Sequence, residues 1–252
     1  SSLVNIYSES MLNLGDKVKM NIGITGQWFT LNDRYTIEPR LSVKWKFAPQ
    51  QSLSFAYGMH SRLEMLNYYF TKDENNRMIN KDLDFTKAHH ISLGYDLSPG
   101  ENLHLQIEPY FQWLYNVPVV PGSTFAMLNL QGNEDWFISD QLVNAGNAIN
   151  YGVDITFEKY MSHGFYYMAT ASLYDSKYRT SDNGTWYDSR YNRHFAVNLL
   201  TGKEWMLGKN KQNMLGANGK VTVQGGDRYS PIDVENSLLQ QEAIYNERNP
   251  YS

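Results

Sequence analysis

The chain has 252 residues, a net charge of −4, 19% charged and 14% aromatic residues, and no cysteine. The missing thiols exclude a disulfide framework and any thiolate metal site, and no basic stripe is present to answer a nucleic-acid backbone. No apolar run approaches the roughly 20 residues of a spanning helix, whereas a mean hydropathy of −0.53 suits a soluble protein and a membrane barrel alike, because barrel strands are apolar on one face only.

Period-two alternation predicts ten strands, at 2–12, 17–31, 36–47, 51–61, 86–97, 103–116, 148–160, 165–178, 194–206 and 213–224. In the third, Leu41, Val43, Trp45 and Phe47 alternate with Arg40, Ser42, Lys44 and Lys46. In the fourth, Leu53, Phe55, Tyr57 and Met59 alternate with Ser54, Ala56, Gly58 and His60. The sixth is the clearest: Leu103, Leu105, Ile107, Pro109, Phe111, Trp113 and Tyr115 share one face, and only Leu114 breaks the other. Val153, Ile155 and Phe157 repeat the pattern against Asp154, Thr156 and Glu158. Successive strand side chains point to opposite sides, so each segment is a ribbon with one apolar and one polar face.

The connections alternate too. Compact turns rich in Gly, Pro, Asn and Ser close the first, third, fifth, seventh and ninth strands, as hairpins require. Except at Asn32-Asp33-Arg34, the intervening connections are long: 62–85, 117–147, 179–193 and 225–252. In an antiparallel meander every second connection emerges at the same end. Short turns at one end, long loops at the other and strands of about 9–11 residues or more predict an up-and-down transmembrane β-barrel, with the long loops extracellular. A soluble antiparallel sandwich with uneven loops is the competing arrangement, although its strands average about 5–6 residues. Trp45 with Phe47, Tyr95, Tyr160, Phe165 with Tyr167, and Trp205 lie near the short turns, where one interfacial aromatic girdle is expected.

The sequence opens in mid-pattern at Ser1, without the regions of a secretory leader, and no amphipathic strand returns after Val223. Open sheet edges are not tolerated in lipid, so the whole of 1–252 is read as one partial barrel domain.

Several blocks carry a resemblance. Ile37-Glu38-Pro39-Arg40-Leu41 followed by Leu53 to Ser61 resembles consecutive barrel strands of Bacteroidota-type TonB-dependent receptors. Asn150 to Lys159, Leu199 to Trp205 and Gly225-Gly226-Asp227-Arg228-Tyr229-Ser230-Pro231-Ile232-Asp233 are similar to further blocks of that family, in order over nearly the whole chain. The resemblance implies the C-terminal portion of a plugged barrel of about 22 strands, lacking here its plug domain and final strands. It also implies outer-membrane lipid around the barrel, the protein's own plug within it, a TonB energising complex reached through an N-terminal segment, and in some cases a surface lipoprotein. Siderophores, glycans, peptides and cobalamins all remain open as ligands.

For ligand capture the candidates are loop aromatics: Tyr68, Tyr69 and Phe70, Trp136 and Phe137, and Trp186 and Tyr187. Flat rings desolvate readily and stack on sugars or peptide side chains, or they pack loop against loop. Arg40, Lys44, Lys46, Glu108, Asp154, Glu158 and Lys220 are expected to face the lumen, pairing mainly with the plug. No catalytic, cofactor or metal site is expected. His89-His90 places its two rings on opposite faces, and Asp73-Glu74-Asn75-Asn76 lacks the spacing of a dedicated calcium loop. A barrel enzyme would need His60 or His163 to converge with an acid and a nucleophile. Import of a nutrient captured by long loops is therefore the expected function, against a secreted β-rich binding protein or an outer-membrane enzyme.

Overall fold

Backbone N–H and C=O groups in alternating segments joined by tight turns are satisfied when each strand pairs with the next in sequence, and that is the arrangement found. The computed structural model describes residues 1–130, 138–181, 184–246 and 250–251. Its strands are β1 (Leu3–Leu14), β2 (Val18–Phe29), β3 (Arg34–Ala48), β4 (Gln51–Arg62), β5 (Thr86–Leu97) and β6 (Leu103–Val119). They continue as β7 (Val143–Ser162), β8 (Phe165–Arg179), β9 (Tyr187–Asp188), β10 (Phe195–Leu207) and β11 (Asn213–Gln224). Among the described residues these eleven form one antiparallel sheet in chain order, with the two-residue β9 paired to β8 off the main path. Two short helices, α1 (Leu66–Tyr69) and α2 (Val234–Gln240), lie in the connections.

The sheet is one layer thick. Val43 pairs with Phe55, Phe111 with Ile91 and Tyr151, and Ile155 with Ile107 and Ala171. These are lateral neighbours on one face rather than partners across a dry centre, which overturns the sandwich arrangement. Phe111 is 44% exposed, Leu93 55% and Leu173 52%, so a broad apolar face has no protein cover among the described residues. Among the described residues β1 is hydrogen-bonded only to β2, and β11 only to β10.

Turn chemistry matches the pairing. His163 and Gly164, at φ 53° and 70°, form a two-residue loop between the paired Ser162 and Phe165. Two consecutive positive φ angles are the requirement of the type I′ hairpin, whose twist matches its strands.

β6 and β7 run further than the alternation predicts, to Val119 and back to Val143. Asn116 adopts φ 57°, a conformation Asn tolerates, and the register shifts between Leu114 and Val117. The bulge interrupts the period, so the continuation of the ribbon is hidden from pattern reading. Leu114 is apolar on the polar face because it packs beside Val117, Ala148 and Tyr178 at the long-connection end.

The short-turn end carries most of the expected ring cluster. Trp45 and Phe47 lie 5.6 Å apart, Phe165 and Tyr167 5.9 Å, and the Lys159 ammonium sits 5.1 Å from the Phe165 ring. Tyr160 is a correction: two residues from Glu158, it shares that residue's inner face and donates to its carboxylate at 2.8 Å.

In a bilayer, Ile155→Arg should destabilise the folded barrel by about 2–4 kcal/mol, while Thr156→Arg on the opposite face should cost far less. Denaturant titration of folding into lipid vesicles checks the contrast.

Candidate functional site

The inner face carries a charge ladder near the short turns. Lys44 Nζ donates to Asp96 at 3.0 Å, and Ser52 Oγ donates to the same oxygen at 3.2 Å. His104 lies between two carboxylates, its Nε2 3.2 Å from Asp96 and its Nδ1 3.0 Å from Glu158. Only a doubly protonated ring can donate to both at once. The ladder ties β3 to β7 and satisfies Lys44 and Glu158 from within the wall.

Higher on that face, Arg40 lies 3.4 Å from Glu38, which is buried and accepts from Gln27 at 2.5 Å and from Ser61. Glu108 and Asp154 stand directly opposite one another across β6 and β7. Like charges in that position repel, and Glu108 accepts from Gln106 at 3.2 Å. Lys46 lines the cleft that also holds Lys44, and Lys220 sits exposed opposite Leu200.

At the other end the long connections fold together over the inner ends of the strands. Tyr68 and Tyr69 of α1, with Phe29, Leu83, Phe85, Met127, Ile138 and Leu142, form one apolar core. Phe29 meets Tyr69 edge-on at 5.1 Å. Val117, Val119, Ala126, Ala148 and Tyr178 form a second, flanked by Tyr187.

Three asparagines fasten these connections. Asn32 donates to the Lys81 and Leu83 carbonyls at 2.9 and 2.8 Å. Asn80 accepts from the Leu142 amide at 2.8 Å and donates to the Asp140 carbonyl at 3.1 Å. Asn144 accepts from the Asp84 amide at 2.8 Å and donates to the Asn116 carbonyl at 2.7 Å. Their side chains read as ordinary loop polarity in sequence; spacing gave no sign that they bridge separate connections.

The block Gly225 to Asp233 has a fastening role too. Arg228 donates from its amide to Arg190 O at 2.9 Å, reaches Asn192 O at 3.2 Å, and contacts His194 and Asp188. Arg193 donates to Asp227 at 2.5 Å, and that bond holds the Asp227 carboxyl below its ordinary range.

The predicted ligand aromatics divide accordingly. Tyr68 and Tyr69 are 1% and 0% exposed inside the loop core, and burial pushes the Tyr69 hydroxyl up to about 12. Tyr187 packs 5.8 Å from Tyr178. Phe70 and Trp186 present surface, at 46% and 39% exposure, and the Arg179 guanidinium lies 5.0 Å from the Trp186 ring. Trp136 and Phe137 lie outside the described residues.

Asp73 is engaged by its own loop, accepting from the Arg77 and Asn75 amides at 2.8 and 2.9 Å, which lowers its carboxyl. His90 sits near Tyr110, 6.1 Å between rings, while His89 lies on the apolar face among Tyr57, Trp113 and Tyr115. His60 is on β4 toward the long connections and His163 is in a short turn, at opposite ends of the sheet.

Comparison with known proteins agrees with this architecture. A family model described as TonB dependent receptor-like, beta-barrel matches residues 2–250. No curated protein matches the sequence. The outer membrane transporter YddB from Escherichia coli superposes with a TM-score of 0.64 at 10% identity, over 96% of this chain and 36% of that one. FpvA of P. aeruginosa, in complex with a heterologous pyoverdine and Fe, gives 0.62 at 13% identity, over 93% and 29%. The alcaligin outer membrane receptor FauA from Bordetella pertussis gives 0.58 at 14% identity, over 89% and 37%. The chain therefore spans about a third of the length of these structures.

Two outcomes test the loop assembly. Asn80→Ala should remove two bridging bonds and cost about 1–3 kcal/mol locally. Amides of 63–85 and 138–142 should then exchange faster by hydrogen-exchange mass spectrometry, with the strands unchanged. Glu64, beside this core, has its carboxyl raised by burial although Arg62 lies 3.7 Å away. A raised acid favours the folded loops fully below its unfolded value of 4.5, and the benefit fades as pH rises through the folded value. Resistance of 63–85 to limited proteolysis should accordingly be greater near about pH 4 than about pH 8, and Glu64→Gln should flatten that difference.

Proposed function

We propose that this chain, which belongs to the TonB-dependent receptor-like β-barrel family, is part of the wall of a plugged outer-membrane barrel that imports a nutrient captured by its long connections. Its place in the outer membrane follows from the family. The observation that carries the import reading is the asymmetry of the two ends. One end has tight turns above a self-satisfied charge ladder, and the other has three interlocked connections packed on apolar residues of the inner face.

In this reading the connections 63–85, 120–142 and 180–194 are extracellular. Tyr68, Tyr69 and Tyr187 hold them together, leaving Phe70 and Trp186 as exposed faces for a ligand, with Trp136 and Phe137 in the same connection as the loop core. Lys44 and Glu158 are already satisfied by Asp96 and His104, so the plug-facing role falls chiefly on Glu108 and Asp154. Their mutual repulsion would be relieved by a cationic group from the plug. Arg40, paired with Glu38, has donors to spare for the same surface. Energy would come from a TonB complex engaging an N-terminal segment, and a surface lipoprotein would find its place over the long connections. His60 and His163, the histidines on which an enzymatic role would draw, stand at opposite ends of the sheet.

Proteolysis of intact cells tests the orientation. Cuts should fall within 63–85 or 120–142, and protease reaching Pro49-Gln50 or His163-Gly164 from outside would invert it. Phe70→Ala combined with Trp186→Ala should lower receptor-dependent uptake without lowering the amount of receptor in the membrane. Unchanged uptake across a panel of iron chelates, glycans and peptides would remove those two rings from the capture surface.

A further inference from the structure

Near mid-height the inner face is hollowed. Gly23, Ser42, Ala56, Gly58 and Ser92, from four neighbouring strands, project almost nothing and floor a cleft of about 620 Å³. Small-ligand sites occupy about 300–1,000 Å³.

Charge is set into this cleft in a definite order. Arg40 stands between Gly23 and Gly58, so both its flanks are bare. Beyond Gly58 comes His90. His60 folds back over Gly58, where an added Cβ would lie 2.9 Å from its Nε2. The imidazole tip therefore enters the row between Arg40 and His90. Neither ring has a hydrogen-bond partner among the described residues, so each can carry its hydrogen on the nitrogen that meets a ligand. Arg40 gives one nitrogen, at 3.4 Å, to Glu38, whose carboxylate also accepts from Gln27 and Ser61. Two nitrogens of the guanidinium stay open.

On the other side of Gly23 stands Glu9. Glu9 and Arg40 face one another across a residue without a side chain, yet no ion pair joins them among the described residues. Their backbones are two strand spacings apart, roughly 10 Å. Glu108 enters the same cleft from β6, three strands from Arg40. A plain anion would be held by Arg40 and repelled by Glu9, and a plain cation the reverse. A ligand bearing both charges satisfies both.

We infer that the cleft binds the zwitterion of a short peptide. The terminal carboxylate accepts from Arg40 and from His60 Nε2, and the terminal ammonium donates to Glu9. A dipeptide, at most roughly 7 Å long, fits between them. Its body lies over the small-residue floor, so the termini are read rather than the side chains. The inference rests on the import reading and narrows its cargo to peptides; the spare donors of Arg40 then serve cargo as well as plug.

Saturation-transfer NMR on the detergent-solubilised full-length receptor tests the site with dialanine, its C-terminal amide and its N-acetyl form. Loss of one charge-assisted contact should weaken either blocked form about tenfold relative to dialanine. In Arg40→Gln the amide should bind as well as dialanine, and in Glu9→Gln the acetylated form should. Gly58→Ala keeps every charge but displaces the His60 ring, and should weaken dialanine without weakening the amide. Gly26→Ala, on the opposite face where a Cβ meets nothing closer than 4.0 Å, should change nothing. Heat-dependent gel mobility reports folding, and if Arg40→Gln fails to fold, Gly58→Ala carries the comparison. Equal binding of dialanine and its amide by the parent, a retained preference in Arg40→Gln, or weakening in Gly26→Ala would each overturn the site. So would an Arg40→Gln receptor that loses heat stability with no change in binding, the mark of a cleft filled by the plug. Binding in detergent does not depend on transport. Cells that take up no peptide through a receptor that binds dialanine would sink the import reading and leave the site standing.

Discussion

Everything in this molecule depends on sideways pairing of the backbone. A sheet one layer thick has no second layer to share polar groups with, so each N–H and C=O must find its partner in the adjacent strand or in water. Where one face meets hydrocarbon, water is not available. The antiparallel registers that run from β1 to β11, shifted only at local bulges, meet that demand, and period two then sorts the side chains into an apolar exterior and a polar interior.

The inner face is freed by this arrangement to carry charge. Groups such as Lys44, Asp96, His104 and Glu158 would be expensive on the opposite side, but here they satisfy each other and brace four strand pairs at one mouth. At the other mouth the same inner face becomes apolar, through Phe29, Val117, Ala148 and Tyr178, because the connections fold down and need something to pack on. The wall thus changes character along its height according to what it meets.

The strands were largely legible because alternation is written residue by residue and turns announce themselves through Gly, Pro and Asn. Legibility failed where one residue altered the count. Asn116 lengthens β6 by a bulge that no period can express. Tyr160 reads as a girdle aromatic by its nearness to a turn, although its spacing from Glu158 already placed it inside. α1 is a single turn whose aromatic run reads as a loop, and α2 is closed by Asp233 and by Gln241 at φ 56° rather than by any apolar stripe. Among the site residues, the inward charges could be assigned from parity alone. The partition of the loop aromatics into packed and exposed could not, since burial of Tyr68 and Tyr69 depends on Leu83, Met127 and Leu142, distant in sequence.

The shared loop cores also govern which surface positions are free to diverge. The tip at Asn75 and Asn76 is exposed and closed locally by Asp73, so length and composition there can drift without disturbing anything else. Leu83 and Phe85 belong to a core built from three different segments, and a change at either is felt in all of them. Substitution at the tip therefore leaves the packing of the connections intact, whereas substitution at their bases loosens all three segments at once.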